Sequence, residues 1–357
     1  KNKLQEIWHG RRLGVDAAPD VLMIDQAYSN ESLADKLIDL LDDASQVVYS
    51  FSRADTGELV QQSLSMLRRL ARQGKICPTQ LADLDPLVNA MRLFKSEAEV
   101  AQMTAACAIS VTAHKRAMSV CKVGMHEYQL AAELHHQFTT QGSQRLAYGS
   151  IVAGGENACI LHYTNNDQVL QDGDLVLIDA GCELDHYASD ITRTFPVNGR
   201  FSEAQKTIYE LVLAAHEAAL ACIKPGAVYT DMQDAAVKVI TQGLIEIGLL
   251  TGELEQNIEQ QTFRKFYMHN IGHWLGMDVH DVGVYKLDGA SRPLIAGMVT
   301  TVEPGIYIDP EDLDIAPQWR GIGVRIEDNI LVTDHGYRNL TANLPVSVAD
   351  IETLMAS

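Results

Sequence analysis

Four carboxylates stand in strand-like segments whose other residues are largely apolar. Asp179 lies inside "LVLIDAG", and Asp190 follows in "YASDITRTFPV". In the second half of the chain, Glu303 ends the strand-like part of "TTVEPGIYI", and Glu327 stands in "GVRIEDNILV". A lone carboxylate in an apolar strand costs several kcal/mol unless it is paired, protonated or bound to a cation. Each of these acids therefore needs a compensating partner.

Two of the acids are expected to lie side by side. Asp190 follows Asp179 by eleven positions, across the turn-like "GCELDHY", so a hairpin would bring them together. Carboxylates held that close repel each other, and either one takes up a proton or a metal ion neutralises both. In "GVRIEDNILV" the period of two places Arg325 and Glu327 on one face, where an ordinary ion pair is the alternative.

Three histidines lie between these acids, in "MHNIGHWLGMDVHD": His269, His273 and His280. Oxygen ligands with one imidazole suit Mn²⁺, Co²⁺, Fe²⁺ or Zn²⁺ better than a thiolate site would. Single residues also have structural interpretations, since Asp179 fits a buried salt bridge and His273 fits a core histidine with a satisfied hydrogen bond. The combined pattern favours a carboxylate-rich metal site in a cleft.

The elements that must position these side chains fall into two regions. Residues 1–92 carry short mixed segments, such as "VLMID", "SLADKLIDLLDD" and "QVVYSF", which predict a small α/β domain. Residues 93–357 instead alternate pairs of helices with groups of strands. We therefore predict an α+β catalytic domain over 93–357, preceded by a smaller N-terminal domain.

The second region repeats its own order of elements. Ser96 with Glu99 predicts a capping box for the first helix, and Thr230 with Gln233 predicts one for a later helix. Helix, helix and strands recur at a spacing of roughly a hundred residues, which is too long for a solenoid period. The repeat predicts two related halves of one domain, with a cleft where the halves meet.

Composition restricts the partners. The net charge of −19 repels phosphate backbones and anionic lipid, which argues against a nucleic-acid partner. The six cysteines contain no CxxC pair and predict reduced thiols in a cytoplasmic protein. No apolar run approaches the roughly 18 residues that a membrane span needs, so no membrane partner is expected.

The second region contains five longer motifs, four of which carry these acids and histidines: "HYTNND", "DLVLIDAGCELDHYASDITRTFPVNGRF", "MHNIGHWLGMDVHDVG", "MVTTVEPGIYI" and "GIGVRIEDNILVT". Together they resemble the bacterial Xaa-Pro aminopeptidase (aminopeptidase P) family of pita-bread metallopeptidases, which also include prolidase, methionine aminopeptidase and creatinase. Earlier in the chain, "EIWHGRRLG" and "RLFKSEAEV" resemble the same branch. The resemblance implies a pita-bread catalytic domain with pseudo-two-fold halves. It also implies a truncated N-terminal domain, because full-length members have a longer one.

The resemblance also implies the site residues. The five implied metal ligands are Asp179, Asp190, His273, Glu303 and Glu327. The implied catalytic residues are His162, His269, His280, Glu303, Tyr307 and Arg325. The implied substrate-binding residues are His162, His269 and His280, together with Trp8. The cofactor is expected to be two divalent ions, with Mn²⁺ first and Co²⁺, Zn²⁺ or Fe²⁺ as alternatives.

The implied function is release of the N-terminal residue from peptides with proline in second position, by attack of a metal-bridging hydroxide on the Xaa-Pro bond. Glu303 is expected to shuttle the proton, and His269 and His280 to donate hydrogen bonds to the carbonyl. Proline specificity comes from the resemblance alone, with Trp8 as an aromatic wall or, alternatively, a core or interface residue. A homo-oligomer, dimer or tetramer, is expected. Two alternatives remain: a sibling hydrolase such as prolidase or methionine aminopeptidase, and a peptide-binding module without chemistry.

Overall fold

The computed structural model describes residues 3–357. Its contacts divide the chain into two compact units, one ending at Asn89 and the other running Ala90–Ser357. The domain boundary expected after residue 92 stays a prediction, because compactness does not establish that either unit folds alone. No helix in the described range is both long and apolar enough to cross a membrane.

The first unit is a small α/β arrangement. Its helices are α1 (Lys3–His9), α2 (Gly14–Leu22), α3 (Leu33–Leu41), α4 (Ala54–Arg69) and the start of α5 (Asp85–Leu93). Its two parallel strands are β1 (Gln46–Tyr49) and β2 (Gln80–Asp83). Leu41, Val47 and Leu64 belong to its small apolar core.

The second unit shows the repeated order of helix pairs and strands. Its first half contains α6 (Glu97–Val120), α7 (Glu127–Thr140), β3 (Arg145–Leu146), β4 (Ile151–Gly154), β5 (Leu175–Asp179), β6 (Cys182–Leu184), β7 (Tyr187–Ala188) and β8 (Thr192–Pro196). Its second half contains α8 (Glu203–Ala221), α9 (Tyr229–Glu246), α10 (Leu254–Glu259), β9 (Lys286–Leu287), β10 (Ala290–Ser291), β11 (Val299–Val302), β12 (Gly305–Tyr307), β13 (Gly323–Arg325), β14 (Asp328–Thr333), β15 (Gly336–Asn339) and α11 (Val348–Met355). The predicted α+β class is confirmed.

Of the two predicted helix caps, the one at Ser96 is confirmed and the one at Thr230 is wrong. Ser96 and Glu99 form the complete capping box at the start of α6. The cap predicted from Thr230 and Gln233 is wrong, because the N-cap of α9 is Val228, two residues before Thr230, and Asp231 accepts a hydrogen bond from the backbone N–H of Val228. Gln233 instead accepts from the backbone N–H of Ile271, so tertiary contact, not capping, determines its position.

Strands from both halves meet at the centre of the second unit. In the first half, β5 lies between β4 and β8 in an antiparallel sheet, and in the second half β14 lies between β11 and β15. The backbone N–H of Glu327 donates to the carbonyl of Thr192 at 3.0 Å, and Thr194 Oγ1 donates to the carbonyl of Arg325 at 3.0 Å. These cross-links hold the strand ends of the two halves together.

Candidate active site

The four acids lie at the ends of strands from both halves. Asp179 is the last residue of β5 and pairs in register with Thr192 of β8. Asp190 lies just before β8, Glu303 lies between β11 and β12, and Glu327 lies between β13 and β14. A strand end brings a side chain out of the ladder while the sheets on either side exclude water. The fold therefore gathers the acids in one place.

A close backbone approach explains the glycine of the "IDAG" motif. A Cβ at Gly181 would lie 1.7 Å from the carbonyl oxygen of Ser189, a distance that no side chain can accept. The backbone at Gly181 therefore packs directly against the backbone at Ser189. This contact agrees with the predicted hairpin, which was expected to bring Asp179 and Asp190 together. Asn329 fixes the second acid further, because its amide pairs with both the N–H and the carbonyl of Asp190.

Asp179 has two polar partners. Arg325 Nη2 lies 2.7 Å from Asp179 Oδ2, and Tyr148 donates its hydroxyl proton to Asp179 Oδ1 at 2.6 Å. Tyr148 also contacts Asp190 Oδ1 at 2.5 Å, so one hydroxyl bridges the two acids. The salt-bridge interpretation of Asp179 thus describes part of its environment, whereas the alternative of an ion pair between Arg325 and Glu327 does not hold among the described residues. Glu327 instead accepts from Thr192 Oγ1 at 2.7 Å.

His273 points one ring nitrogen at the acids. Its Nε2 lies 3.3 Å from Asp190 Oδ2 and 3.5 Å from Glu303 Oε1. Its Nδ1 lies 3.0 Å from the carbonyl oxygen of Trp274, which fixes the proton on Nδ1 in the neutral ring and leaves Nε2 free to bind a cation. Ligand atoms of Asp190, His273 and Glu327 all lie within 4.8 Å of one another, a spacing that suits a shared metal ion.

Burial raises the pKa values of three of the four acids, because the cavity supplies too little positive charge to stabilise all their carboxylates. Burial raises the pKa of Glu303 to about 7 and raises the pKa of Glu327 well above its usual range, where Asp190 adds repulsion. The pKa of Asp179 is also raised by burial, although Arg325 opposes the effect. A set of oxygen donors that cannot all ionise without more positive charge fits divalent cations.

The pKa values of Asp190 and His273 move in opposite directions. Burial opposes ionisation of both groups, but their mutual hydrogen bond and charge lower the pKa of Asp190 and raise that of His273 to about 9. One imidazolium therefore replaces part of the missing positive charge when no metal is bound. A metal ion would have to displace that proton, so metal binding is expected to release protons.

The metal-free protein should lose stability as the pH rises. Glu303 has a pKa raised from 4.5 to about 7, and His273 has one raised from 6.5 to about 9. A group whose pKa is raised on folding stabilises the fold below its unfolded pKa, and this contribution is lost as the pH rises through the folded pKa. We therefore expect the melting temperature of the chelator-treated protein, measured by calorimetry, to fall as the pH rises from 4.5 to about 9. Added Mn²⁺ should flatten the decrease, and a melting temperature that rises instead would contradict the assignment.

The acids open into a cavity of about 650 Å³. His162, His269, His280 and Arg325 line the same cavity. Tyr307 is buried beside it, where its hydroxyl lies 2.8 Å from His269 Nε2 and accepts from Arg325 Nη1 at 2.9 Å. The second unit thus brings together all the predicted site residues that it contains.

His269 is held as a neutral ring. Burial lowers its pKa to about 4, and the positive charge of Arg325 acts in the same direction. Its Nδ1 lies 2.8 Å from the carbonyl of Asn270, so Nδ1 carries the proton and Nε2 accepts from Tyr307. Donation from Nε2 to a substrate carbonyl, as predicted, therefore requires a change of tautomer and the loss of the hydrogen bond that Tyr307 donates to Nε2.

Trp8 belongs to the first unit. It lies in α1, and its side chain is 76% exposed. Its predicted contact with a proline ring stays a prediction.

Sequence reasoning missed the polar residues that support the acids. Tyr148 is the clearest example, because it contacts two acids that lie 31 and 42 positions further along the chain. On α6, Cys107, Ser110 and His114 form a buried polar row, and His114 Nε2 lies 2.9 Å from the carbonyl of Ala180, next to Asp179. Their spacing of three and four on an otherwise apolar helix face was the available signal.

Comparison with known proteins agrees with this arrangement. The model of metallopeptidase family M24 matches residues 101–334, and that of the aminopeptidase P N-terminal domain matches residues 1–49. The chain is 46% identical over 355 residues to the Xaa-Pro aminopeptidase of Escherichia coli, covering 99% of this chain and 80% of that protein. It is 35% identical over 350 residues to human Xaa-Pro aminopeptidase 3, covering 98% of this chain and 68% of that protein.

Solved structures are similar over the whole chain. Pseudomonas aeruginosa aminopeptidase PepP superimposes with a TM-score of 0.98 at 49% identity, covering 100% of this chain and 81% of that one. A single-residue variant of Escherichia coli aminopeptidase P in complex with substrate gives 0.97 at 46% identity, with the same coverage. The pita-bread fold expected from the sequence motifs is confirmed. The chain belongs to metallopeptidase family M24.

Proposed function

We propose that the chain is a metal-dependent Xaa-Pro aminopeptidase, which removes the N-terminal residue from peptides with proline in second position. The observation that carries this proposal is the convergence of Asp190, His273 and Glu327 within 4.8 Å, at a cavity that also contains Asp179 and Glu303. The similarity to Xaa-Pro aminopeptidases over nearly the full chain gives the substrate class.

The metal would be held by the five predicted ligands. The excess of buried carboxylate over Arg325 and His273 suits two divalent ions, and the oxygen-rich set with one imidazole favours Mn²⁺ over a thiophilic metal. When bound, such ions lower the pKa of water and polarise the scissile carbonyl. Arg325 would remain paired with Asp179 and hold its carboxylate in a fixed orientation.

Glu303 is the proposed proton carrier. A group that accepts and returns a proton during turnover must reach the reacting water, and Glu303 lines the cavity with its Oε1 3.5 Å from His273 Nε2. Its Oε1 also contacts Thr301 Oγ1 at 3.3 Å, which orients the carboxylate. Glu303 would take the proton from the attacking water and deliver it to the departing proline nitrogen.

The remaining polar residues of the cavity would bind the substrate. His280 lines the cavity and carries no hydrogen bond within residues 3–357, so its ring is available to a substrate carbonyl. His162 is available on the same cavity wall, and the guanidinium of Arg325, which also lines the cavity, provides positive charge where negative charge develops. Trp8 is proposed as an aromatic surface for the proline ring.

Three peptides test the function. The Mn²⁺-loaded protein should release the first residue from an Xaa-Pro tripeptide, but leave an Xaa-Pro dipeptide and a Met-Ala tripeptide largely uncleaved. A chelator should stop the release, and Mn²⁺ should restore it. Preferred cleavage of the dipeptide would favour a prolidase, and cleavage of Met-Ala would favour a methionine aminopeptidase. No cleavage by protein with bound metal would favour a binding module.

The resemblance also supports a cytoplasmic homo-oligomer, which we propose as a dimer or tetramer. Light scattering of the full chain measures its mass directly. A mass near the 39.3 kDa of one chain would contradict the oligomer.

A further inference from the structure

The position of His280 depends on an irregular segment. Residues 275–285 contain no helix or strand, and they connect a bridge at Trp274 to β9. The ring of His280 is 4.3 Å from that of His273, centroid to centroid, and makes no hydrogen bond in the described part of the chain. The direction in which His280 points therefore depends on what holds the backbone of residues 275–285.

The residue after His280 is a buried acid with two cationic partners. The side chain of Asp281 is fully buried, and its Oδ2 lies 3.0 Å from Lys95 Nζ, on a side chain that is only 1% exposed. Arg92 Nη2 contacts Oδ1 of the same carboxylate and also contacts Asp278, an exposed acid of the segment. Both cations come from the chain just before α6, so they connect that part of the fold to the segment.

The segment packs tightly around this ion pair. A Cβ at Gly276 would lie 2.1 Å from Asp281 Oδ2 and 2.9 Å from Lys95 Cε, so the backbone touches the pair directly. The backbone N–H of Asp281 donates to the carbonyl of Trp274 at 2.9 Å, which closes the segment into a loop. Lys95 is anchored in turn, because its own N–H donates to the carbonyl of Gly297 at 2.8 Å.

We propose that Lys95, assisted by Arg92, is a positioning residue that holds His280 in the cavity through Asp281. Without the Lys95 cation, the buried carboxylate lacks a full partner, and the segment must move to let it reach water. His280, one residue away and without a bond of its own, would move with it. The inference rests on the proposed function, since it assigns His280 to the substrate.

A double-mutant cycle tests the proposal on the Mn²⁺-loaded full chain. The variants are Lys95→Met, His280→Ala and the double variant, with kcat/KM measured on the Xaa-Pro tripeptide. Misplacing a substrate-binding group can cost about 100-fold, so we expect Lys95→Met to lower kcat/KM roughly 10- to 100-fold in the wild-type background. In the His280→Ala background its effect should shrink to about 3-fold or less, since the group it positions is absent.

Hydrogen exchange supplies a readout independent of activity. Amides of residues 275–285 should exchange faster in Lys95→Met than in the wild type, while the bound Mn²⁺ is unchanged. Lys206→Met is the matched control, because its exposed i,i+4 pair with Glu210 should affect neither measurement. If Lys95→Met does not fold, Arg92→Gln replaces it, because Arg92 is the more exposed of the two cations. Arg92→Gln should lower kcat/KM less than Lys95→Met, and its effect should likewise shrink in the His280→Ala background.

Equal losses from Lys95→Met in both backgrounds, or unchanged exchange in residues 275–285, would overturn the proposal. Wild-type protein that binds Mn²⁺ but cleaves no Xaa-Pro tripeptide would instead refute the proposed function. In that case faster exchange in Lys95→Met would still support the structural part of the inference, and unchanged exchange would overturn it.

Discussion

Glu327→Gln is expected to lower kcat/KM by about 10³-fold without weakening the metal-free fold. Burial, with repulsion from Asp190, raises the pKa of Glu327 well above its usual range, so the metal-free site favours the neutral, protonated acid. Glutamine matches the size of the protonated acid and its N–H can donate where the acid proton would. The metal-free melting temperature should therefore equal or exceed that of the wild type.

In the presence of Mn²⁺, by contrast, the Glu327→Gln variant should perform worse than the wild type. The neutral amide removes one of the three groups whose ligand atoms lie within 4.8 Å, and with it the negative charge that binds a cation. A divalent ion supplies several kcal/mol of transition-state stabilisation, so its loss should lower kcat/KM by about 10³-fold. The increase in melting temperature on adding Mn²⁺ should also shrink, because only ligand bound to the folded state stabilises it.

Calorimetry with and without Mn²⁺, together with elemental analysis of the purified variant, measures both effects. Glu217→Gln, on the exposed face of α8, is the control and should match the wild type in each assay. A variant that keeps its Mn²⁺ and full activity would remove Glu327 from the metal ligands. A metal-free variant that melts well below the wild type would show that Glu327 is ionised in the fold.

The acids could be predicted from the sequence because a charged residue inside an apolar strand is unusual and can be recognised from its sequence neighbours alone. Asp179 in an apolar strand and Asp190 beyond a turn are visible in a window of a dozen residues, and the hairpin follows from the turn chemistry. The helix pairs and the α+β class followed from periodicity and caps. These features depend on neighbours in sequence, which is why they could be read without the fold.

The pairings between the acids and their supports depend on tertiary distance and were not predictable in the same way. The period of two predicts Arg325 and Glu327 on one face, yet β13 ends at Arg325, and the fold turns the Arg325 guanidinium towards Asp179, 146 positions away. Tyr148 gave no signal of its own, because a tyrosine before a strand is common. The Thr230 cap failed for a related reason, since α9 begins at Tyr229 and Asp231 accepts from the backbone N–H of Val228, which makes Thr230 a residue inside the helix.

Glu303→Gln should separate catalysis from metal binding. The three residues whose ligand atoms lie within 4.8 Å of one another are Asp190, His273 and Glu327, and Glu303 is not among them. The amide oxygen of glutamine can also still face a cation. Most of the Mn²⁺ should therefore remain bound to the variant. The amide cannot take up and return a proton near neutral pH. Loss of general acid–base catalysis costs about 10²- to 10⁴-fold, and we expect kcat to fall within that range.

The pattern of kinetic constants distinguishes this role from binding. If Glu303 acts only on the proton in the transition state, kcat and kcat/KM should fall together while KM stays within about 3-fold. Steady-state kinetics on the Xaa-Pro tripeptide, with Mn²⁺ measured in the same sample, decide the matter. Retained turnover would exclude Glu303 as the proton carrier, whereas joint loss of metal and turnover, as expected for Glu327→Gln, would assign it to metal binding alone.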